Sequence, residues 1–345
     1  MVSPDIEFVI RFHNLERQPL LTRAVESVLT DDSAGIILVA HNIDPDKIIL
    51  PKTPRIKIVS LEGEAGLPGA ASAAGYKALS AQWAGLLDSD DYFMPNAIAT
   101  MRTRLQETKA DALIAPLHKE GKRNPVHLPT IRTSNLDVVK DKLFYRTAPF
   151  GIFRSTFLKD SAEFGRQFHT GEDIPIMAYI YTQAQNIAYF WNDPAYVLGN
   201  SATDRITDLL LSDAKVIVQS YNQIWDIPFI ADLDSKIKHA LAVKLLRINI
   251  LPLVEKAQDS PEVLTEYAQC VEKILNVDSR AMRSLTWHQQ QLIKALLEKN
   301  YSLLGNPAKL NIISRNIQKL IQLLDSESQY YWDRSERKFQ RALRK

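Results

Sequence analysis

The stretch WAGLLDSDD, residues 83–91, contains the pattern that decides the fold. A short apolar run, Trp83 to Leu87, ends at three carboxylates in four positions, Asp88, Asp90 and Asp91. An apolar run of this length followed by polar residues is typical of a buried strand. Like charges this close repel one another, and burying them without partners would be costly. The crowding indicates either a solvated acidic turn or a site that receives a positive charge.

Strand-like and helix-like segments alternate on both sides of this stretch. The strand-like segments are IEFVIRF (6–12), GIILVAHN (35–42), RIKIVSL (55–61), WAGLLD (83–88) and ADALIAPL (110–117). Between them lie PLLTRAVESVL (19–29), the Gly/Ala-rich GLPGAASAAGYKALSAQ (66–82) and NAIATMRTRLQE (96–107), which favour helix. This order predicts an α/β fold with a mostly parallel sheet and flanking helices. Ligands of such sheets bind beyond the carboxyl ends of the strands, where the three aspartates lie.

The character of the chain changes after about residue 207. Four segments have apolar residues at helical spacing: 210–225, 238–257 (with Pro252 as a predicted kink or end), 262–277 and 308–327. We therefore predict two domains, an α/β domain over 1–207 and an all-α region over 208–345.

Composition restricts the class of protein. The net charge of the 345 residues is +2, so no strongly basic surface indicates nucleic acid as a partner. The single cysteine, Cys270, excludes an internal disulfide or a multi-cysteine metal site, and its apolar surroundings favour a buried thiol. We find no signal-peptide pattern and no apolar run of about 18 residues, so we expect a cytoplasmic protein.

Asp88 and Asp90 have the chemistry of ligands for a hard cation. Mg²⁺ and Mn²⁺ take oxygen ligands, and Mg²⁺ is commonly held by one or two carboxylates together with substrate phosphates. A cation shared by Asp90 and a diphosphate would relieve the repulsion. Asp88 is then either a second ligand or an acceptor for a ribose hydroxyl.

A second acidic pair lies in FHTGEDIPIMAYIYTQA, residues 168–184. One interpretation is structural, with Asp173 as helix N-cap and Pro175 in the first turn. The other is functional, with a carboxylate at the helix start that takes a proton from an attacking hydroxyl.

Six segments follow one another in the order FVIRFHN, IILVAHN, GLPGAASAAGY, LLDSDDYFMPNAI, FGIFRSTFL and GEDIP. With these motifs in this order, the chain resembles family 2 glycosyltransferases of GT-A fold. The resemblance covers about residues 5–207. It implies Asp90 as metal ligand for Mn²⁺ or Mg²⁺, Asp88 as ribose or metal ligand, Asp173 as catalytic base and Glu172 as a residue that orients the base or the acceptor. It also implies nucleotide contacts from Asn14 and, at the diphosphate, from Arg205 in YVLGNSATDRIT (196–207).

The chain departs from the family at two places. VAHNIDP stands where the family commonly has VDDGS, so base recognition falls to His41, Asn42 or Asp44 or differs altogether. Asn42 has the donor and acceptor that uracil requires, but a loop-stabilising role explains it equally well. Arg11 and His13 stand where the family usually has Pro and Tyr.

The resemblance implies an inverting, metal-dependent hexosyl- or N-acetylhexosaminyl-transferase. Its donor would be a nucleotide-diphospho-sugar, with UDP the expected nucleotide, and its acceptor a hydroxyl of a glycan or lipid-linked molecule in cell-surface polysaccharide synthesis. The alternative is a non-catalytic GT-A scaffold or glycan-binding subunit with the helical region as its interface.

Two further features leave alternatives open. The basic tail RSERKFQRALRK (334–345) is a solvated end, a peripheral contact to the inner face of an anionic membrane, or a partner contact; an exposed helical face could also form a homodimer. Trp191 and Tyr196 either stack on a sugar or pack in the core, and we favour the core. Arg146 and Phe150 are candidates for the acceptor side.

Overall fold

The computed structural model describes residues 4–122, 126–201, 214–257, 260–301 and 304. The chain divides into two compact units, Met1–Asp208 and Leu209–Lys345, called here the N-terminal and C-terminal units.

The N-terminal unit has a seven-stranded sheet, a three-stranded sheet and flanking helices. Its strands are β1 Ile6–Phe12, β2 Ala34–His41, β3 Ile56–Leu61, β4 Trp83–Asp88, β5 Tyr92–Phe93, β6 Ala112–Ile114, β7 Leu117–Lys119, β8 Gly151–Arg154, β9 Ile187–Tyr189 and β10 Tyr196–Leu198. Its helices are α1 Gln18–Leu29, α2 Pro68–Ala78, α3 Ala97–Thr108, α4 Ser155–Asp160 and α5 Asp173–Gln183.

The large sheet has the order β3-β2-β1-β4-β8-β6-β9, and the small sheet has the order β5-β10-β7. Strands β1 to β4 pair in parallel, as does β6 with β9, whereas β8 runs antiparallel to both of its neighbours. The predicted α/β fold with a mostly parallel sheet is confirmed.

One predicted strand is wrong. The segment 110–117 is divided between β6 in the large sheet and β7 in the small one. Pro116 lies between them, and a proline has no N–H to continue a ladder. Its carbonyl oxygen instead accepts from the Tyr196 amide at 2.9 Å. Apolarity alone could not show this change of sheet.

The core lies between the large sheet and its helices. Every residue of β2 is buried, and α1 places Leu21, Ala24, Val25 and Val28 against the sheet at helical spacing. Helix α2 approaches the sheet closely at Gly75, where a Cβ would lie 2.3 Å from Val9 Cγ1. The absence of a side chain at Gly75 permits this approach. The predicted small-residue face of this segment therefore packs directly on β1.

The described part of the C-terminal unit consists of helices joined by turns, with no strand. Its helices are α6 Ala214–Ile224, α7 Pro228–Ala231, α8 Ser235–Lys244, α9 Leu251–Lys256, α10 Pro261–Val277 and α11 Trp287–Leu297. A π-helical segment, Leu245–Ile250, precedes Pro252, so the irregularity predicted at this proline is a widened turn between α8 and α9. The predicted helix 308–327 and the basic tail lie outside the described residues.

Cys270 on α10 is completely buried, as predicted. Burial raises the pKa of its thiol to about 12. No described helix has the length and apolarity needed to cross a membrane.

Candidate functional site

The acidic stretch lies where the strand order of the large sheet reverses. β1 continues along the chain to β2 on one side, and β4 lies on its other side. Crevices at such switch points are the usual ligand sites of open α/β sheets. Arg11 near the carboxyl end of β1 and Asp88 at the carboxyl end of β4 are paired in register, which brings them onto the same face of the sheet.

Arg11 connects four elements at this point. Its Nη2 donates to Asp88 Oδ1 at 2.5 Å, and its Nη1 donates to Glu172 Oε1 at 2.8 Å and to Ser72 Oγ at 3.2 Å. The Arg11 side chain is only 14% exposed. We call Arg11, Ser72, Asp88 and Glu172 the Arg11 cluster. One guanidinium therefore joins the two acidic motifs, although Asp88 and Glu172 are 84 positions apart in the sequence.

Charge dominates the environment of this guanidinium. Burial lowers the pKa of Arg11, but the attraction of Asp88, Glu172 and Asp173 outweighs it, and the pKa lies well above its ordinary value. A guanidinium held in this way is a permanent cation. More carboxylates than cations nevertheless meet here, so the site retains an attraction for a further positive charge.

Asp91 has a structural role, since its side chain binds residues of and next to β10 and so stabilises the acidic turn. Its side chain is buried, with Oδ2 accepting from the Tyr196 hydroxyl at 2.7 Å and Oδ1 from the Gly199 amide at 2.8 Å. The Tyr196 hydroxyl also accepts from the Asp88 amide at 3.1 Å. The first residue of β10 and the residue that follows the strand are thereby fixed to the acidic turn.

Burial, followed by repulsion from Asp88 and Asp90, raises the pKa of Asp91 to about 8, against the opposing effect of its hydrogen bonds from Tyr196 and Gly199. A raised pKa favours the neutral form of this carboxyl, which reduces the repulsion and explains part of how three carboxyl groups are tolerated in one turn.

The backbone of Asp90 is held from the opposite side by α1. Arg23 Nη2 donates to the Asp90 carbonyl oxygen at 2.9 Å, and Arg23 Nη1 pairs with Glu120 at 2.7 Å. Glu120 Oε2 accepts from the Asn200 amide at 3.0 Å. The Asp90 side chain itself is largely buried, at 8% residue exposure.

The Glu172–Asp173 turn is fastened to the loop between β3 and α2. Arg166 forms a two-pronged pair with Glu64, at 3.0 and 2.9 Å, and His169 Nδ1 lies 3.0 Å from the Gly66 carbonyl oxygen. A Cβ at Gly165 would lie 2.3 Å from the Glu172 carbonyl oxygen. His169 therefore has a structural contact with this loop.

The N-cap interpretation of Asp173 is wrong. Asp173 is the first residue of α5, and the capping position is occupied by Glu172, whose side chain makes no cap hydrogen bond. Asp173 instead faces the charges of the site, since it contributes to the pKa of both Arg11 and Tyr76. The Tyr76 hydroxyl is fully buried without a hydrogen-bond partner among the described residues, and burial together with Asp173 raises its pKa well above the ordinary value.

The two candidate asparagines serve the backbone in this structure. Asn14 caps the short 3₁₀ turn after β1, where its Oδ1 accepts from the Glu16 amide at 2.9 Å. Asn42 has a φ of 56° and uses both side-chain atoms on Gly63, with Nδ2 at 3.0 Å from the carbonyl oxygen and Oδ1 at 2.7 Å from the amide. Arg205 lies outside the described residues.

The aromatic and acceptor-side candidates are largely structural. Tyr196 is fully buried and stacks on Phe150, with ring centroids 4.1 Å apart. Arg146 is buried and donates to the carbonyl oxygens of Ala115 and Val126 at 3.0 and 2.9 Å. Trp191 packs edge-on against His127, 6.2 Å between centroids.

Within the described ranges, no three His, Cys, Asp or Glu side chains form a group that could hold a metal ion. Asp88 and Asp90 alone supply two carboxylates on one turn, and Asp88 already shares Oδ1 with Arg11. This set fits a cation that completes its coordination with substrate phosphates, since Mg²⁺ is commonly bound by one or two carboxylates plus phosphate oxygens.

Sequence reasoning named Arg11 and Tyr196 without their organising roles, and it missed Arg23 and Gly199 altogether. Arg11 gave a signal, because a charged residue interrupts the apolar run IEFVIRF near its carboxyl end. Arg23 and Gly199 gave none, because their partners are distant in the chain.

Residues 8–162 match a family model described as Glycosyl transferase family 2. The "Succinoglycan biosynthesis protein ExoO" of Rhizobium meliloti (strain 1021) is 26% identical over 196 residues, which cover 51% of this chain and 55% of the relative. The chain thus matches only about half the length of that relative.

Solved structures of S. aureus TarS 1-349 are similar in fold. The complex with UDP-GlcNAc has a TM-score of 0.65 at 17% identity and covers 87% of this chain and 90% of that one. The complex with UDP has a TM-score of 0.60 at 16% identity and covers 93% and 92%.

Proposed function

We propose that the chain is an inverting glycosyltransferase, because residues 8–162 match the family model of glycosyl transferase family 2. The donor is a nucleotide-diphospho-sugar with UDP as nucleotide, and the acceptor is a hydroxyl of a glycan or lipid-linked molecule. The observation that carries this proposal is the Arg11 cluster, which brings Asp88 of the first acidic motif and Glu172 of the second to one guanidinium.

The choice of donor and pathway draws on the relatives. One TarS structure of the same fold contains UDP-GlcNAc, and ExoO takes part in succinoglycan biosynthesis by its name. We therefore propose a hexose or N-acetylhexosamine as the transferred sugar and cell-surface polysaccharide as the product. The catalytic domain is residues 1–207, and we propose the helical region 208–345 as the part that binds the acceptor, a second copy or a membrane surface at the cytoplasmic side.

A cation, Mn²⁺ or Mg²⁺, fits beside Asp90 and Asp88, where it would neutralise charge on the departing diphosphate. Asp88 has a second role available, because its 29% exposed side chain leaves room to accept a ribose hydroxyl. Arg205, and Asn14 after β1, are the proposed nucleotide contacts. For Asn42 the proposal is weaker, since its side chain already binds Gly63.

The acceptor side of the reaction belongs to Asp173. A carboxylate at the first residue of α5 can remove the proton from an acceptor hydroxyl as that oxygen attacks the anomeric carbon opposite the departing diphosphate. Glu172, held by Arg11 at 2.8 Å, fixes the start of this helix and thereby orients the base. The remaining contribution is positioning, which can supply a large share of the rate.

A non-catalytic, glycan-binding subunit is the second candidate. The observation that favours it is the commitment of the Asn42 amide to Gly63, which removes one expected contact to the nucleobase.

The test is a thermal-shift panel of nucleoside diphosphates with Mn²⁺, Mg²⁺ or EDTA, followed by hydrolysis of the matching nucleotide-sugar. A ligand that binds only the folded state raises the melting temperature. We expect UDP to stabilise the wild type only with metal, Asp90→Ala to lose this shift, and Asp173→Asn to keep the shift while losing hydrolysis by a factor of 10² or more, about the contribution of a general base.

The outcomes separate the two candidates. Binding without any turnover, equal in wild type and Asp173→Asn, supports the non-catalytic subunit. No shift with any diphosphate contradicts both the transferase and the metal site.

A further inference from the structure

We propose that Arg11 is a positioning residue that couples the donor end of the site to the base. In the absence of donor, its guanidinium binds both Asp88 and Glu172. When the cation and diphosphate bind, the Arg11–Asp88 hydrogen bond breaks and the Arg11–Glu172 hydrogen bond remains. The inference rests on the proposed function and adds to it a residue that the acidic motifs do not contain.

The geometry gives Arg11 two separable attachments. Nη2 binds Asp88 on β4, and Nη1 binds Glu172 before α5 together with Ser72 on α2. The two nitrogens therefore serve opposite ends of the site. Loss of the Asp88 contact leaves the Glu172 and Ser72 contacts in place. The guanidinium therefore stays bound near α5 and α2 after it has released the carboxylate at the donor end.

Asp88 is the point of competition. It is the more exposed carboxylate of the pair, at 29% against 10% for Glu172. A divalent cation that draws on Asp88 shares that carboxylate with a guanidinium 2.5 Å away, and the two positive charges repel each other. Cation binding and the Arg11–Asp88 bond therefore oppose one another, and by linkage each weakens the other to the same extent.

Arginine is required because one side chain must bind two carboxylates at fixed angles. A lysine at this position supplies one compact charge and cannot present the same fork. The charge and the bridge can thus be tested separately: Arg11→Gln removes both, and Arg11→Lys keeps the charge and loses the bridge.

The experiment measures Mn²⁺ binding in the presence of UDP by electron paramagnetic resonance, and separately the kcat of UDP-GlcNAc hydrolysis. For Arg11→Gln we expect Mn²⁺ to bind at least about fivefold tighter, the low end of typical coupling between sites, while kcat falls at least tenfold. A merely structural role weakens both. For Arg11→Lys we expect Mn²⁺ affinity within twofold of wild type and the same loss of kcat.

Arg23→Gln is the matched control. It removes a positive charge beside the same turn, since Arg23 binds the Asp90 carbonyl oxygen, but Arg23 does not contact the carboxylates of the Arg11 cluster. Equal tightening of Mn²⁺ in Arg23→Gln would show a general field effect and overturn the competition.

Unchanged or weaker Mn²⁺ binding in folded Arg11→Gln overturns the inference. If this variant does not fold, Arg11→Lys decides, because full kcat in that variant shows that no bridge is needed. A wild type that binds Mn²⁺ and UDP while the variants fail these expectations refutes the inference alone; a wild type that binds neither refutes the proposed function and, with it, the inference.

Discussion

Gly199 is the position where one added methyl group should disturb the acidic turn most. Its φ is not in the left-handed region, so alanine carries no backbone penalty of that kind. The obstacle is steric, because a Cβ there would lie 2.0 Å from the Asp90 carbonyl oxygen and 2.9 Å from Arg23 Nη2. Since an ordinary contact is at least about 3.4 Å, β10 or the turn must move by more than 1 Å.

Neither side of this contact can move without losing hydrogen bonds. The Gly199 amide binds Asp91 at 2.8 Å, and Arg23 holds the Asp90 carbonyl oxygen at 2.9 Å. Overpacking costs about 1–3 kcal/mol, and a lost hydrogen bond with a buried partner about 1–3 kcal/mol. We therefore expect Gly199→Ala to lower the free energy of unfolding by about 3 kcal/mol, and to reduce or abolish the metal-dependent thermal shift with UDP.

Urea unfolding followed by fluorescence measures the free energy, and Gly121→Ala is the control. Gly121 has a φ of +72°, and its Cβ would lie 3.6 Å from Asn200 Nδ2, so this variant tests left-handed strain without a clash. We expect it to lose about 1–2 kcal/mol. A Gly199→Ala protein within 0.5 kcal/mol of wild type, about the usual effect of a neutral surface substitution, would refute the steric reasoning.

Three other side chains give separate predictions. Tyr196→Phe removes the hydroxyl that joins the Asp88 amide to Asp91, and urea unfolding should show a loss of about 1–3 kcal/mol; no loss would mean that water replaces the hydroxyl. Burial, helped by nearby cations, lowers the pKa of His127 to about 4, below its unfolded value. The unfolded state therefore takes up a proton first as the pH falls below about 6.5, so stability should drop by about 1 kcal/mol from pH 7 to pH 5, discounted for partial solvent contact, and His127→Asn should remove this slope. Cys270, whose thiol pKa burial raises to about 12, should not react with a thiol reagent at pH 8 until the protein is unfolded; rapid labelling of the native protein would contradict the buried position.

The fold was accessible from local pattern because each strand of its parallel half is a separate apolar run. β1 to β4 were placed within one or two residues by apolar runs and the helices between them. The failures have local causes of a different kind. β5, β8, β9 and β10 are two to four residues long and too short for a pattern, and Pro116 ended a strand inside an apolar run.

The sequence predicted which acidic residues lie in the candidate site, but the residues alone did not show how they divide the work. Asp88, Asp90, Glu172 and Asp173 could be named because carboxylates crowded at the end of an apolar run are costly without a purpose. Their roles could not be apportioned from the chain. Asp91, one position after Asp90, is structural, because it is buried against Tyr196 and burial raises its pKa.

The sequence by itself determined the α/β class, the helical second half and the two acidic motifs, because apolar periodicity and charge crowding are local properties. Only the tertiary structure decided what joins the motifs. Arg11, Asp88 and Ser72 come from β1, β4 and α2, and Glu172 directly precedes α5. Their contacts exist because β1 and β4 are neighbours in register while α2 and α5 begin beside them. Such pairings are set by strand order and packing, which no local window of residues contains.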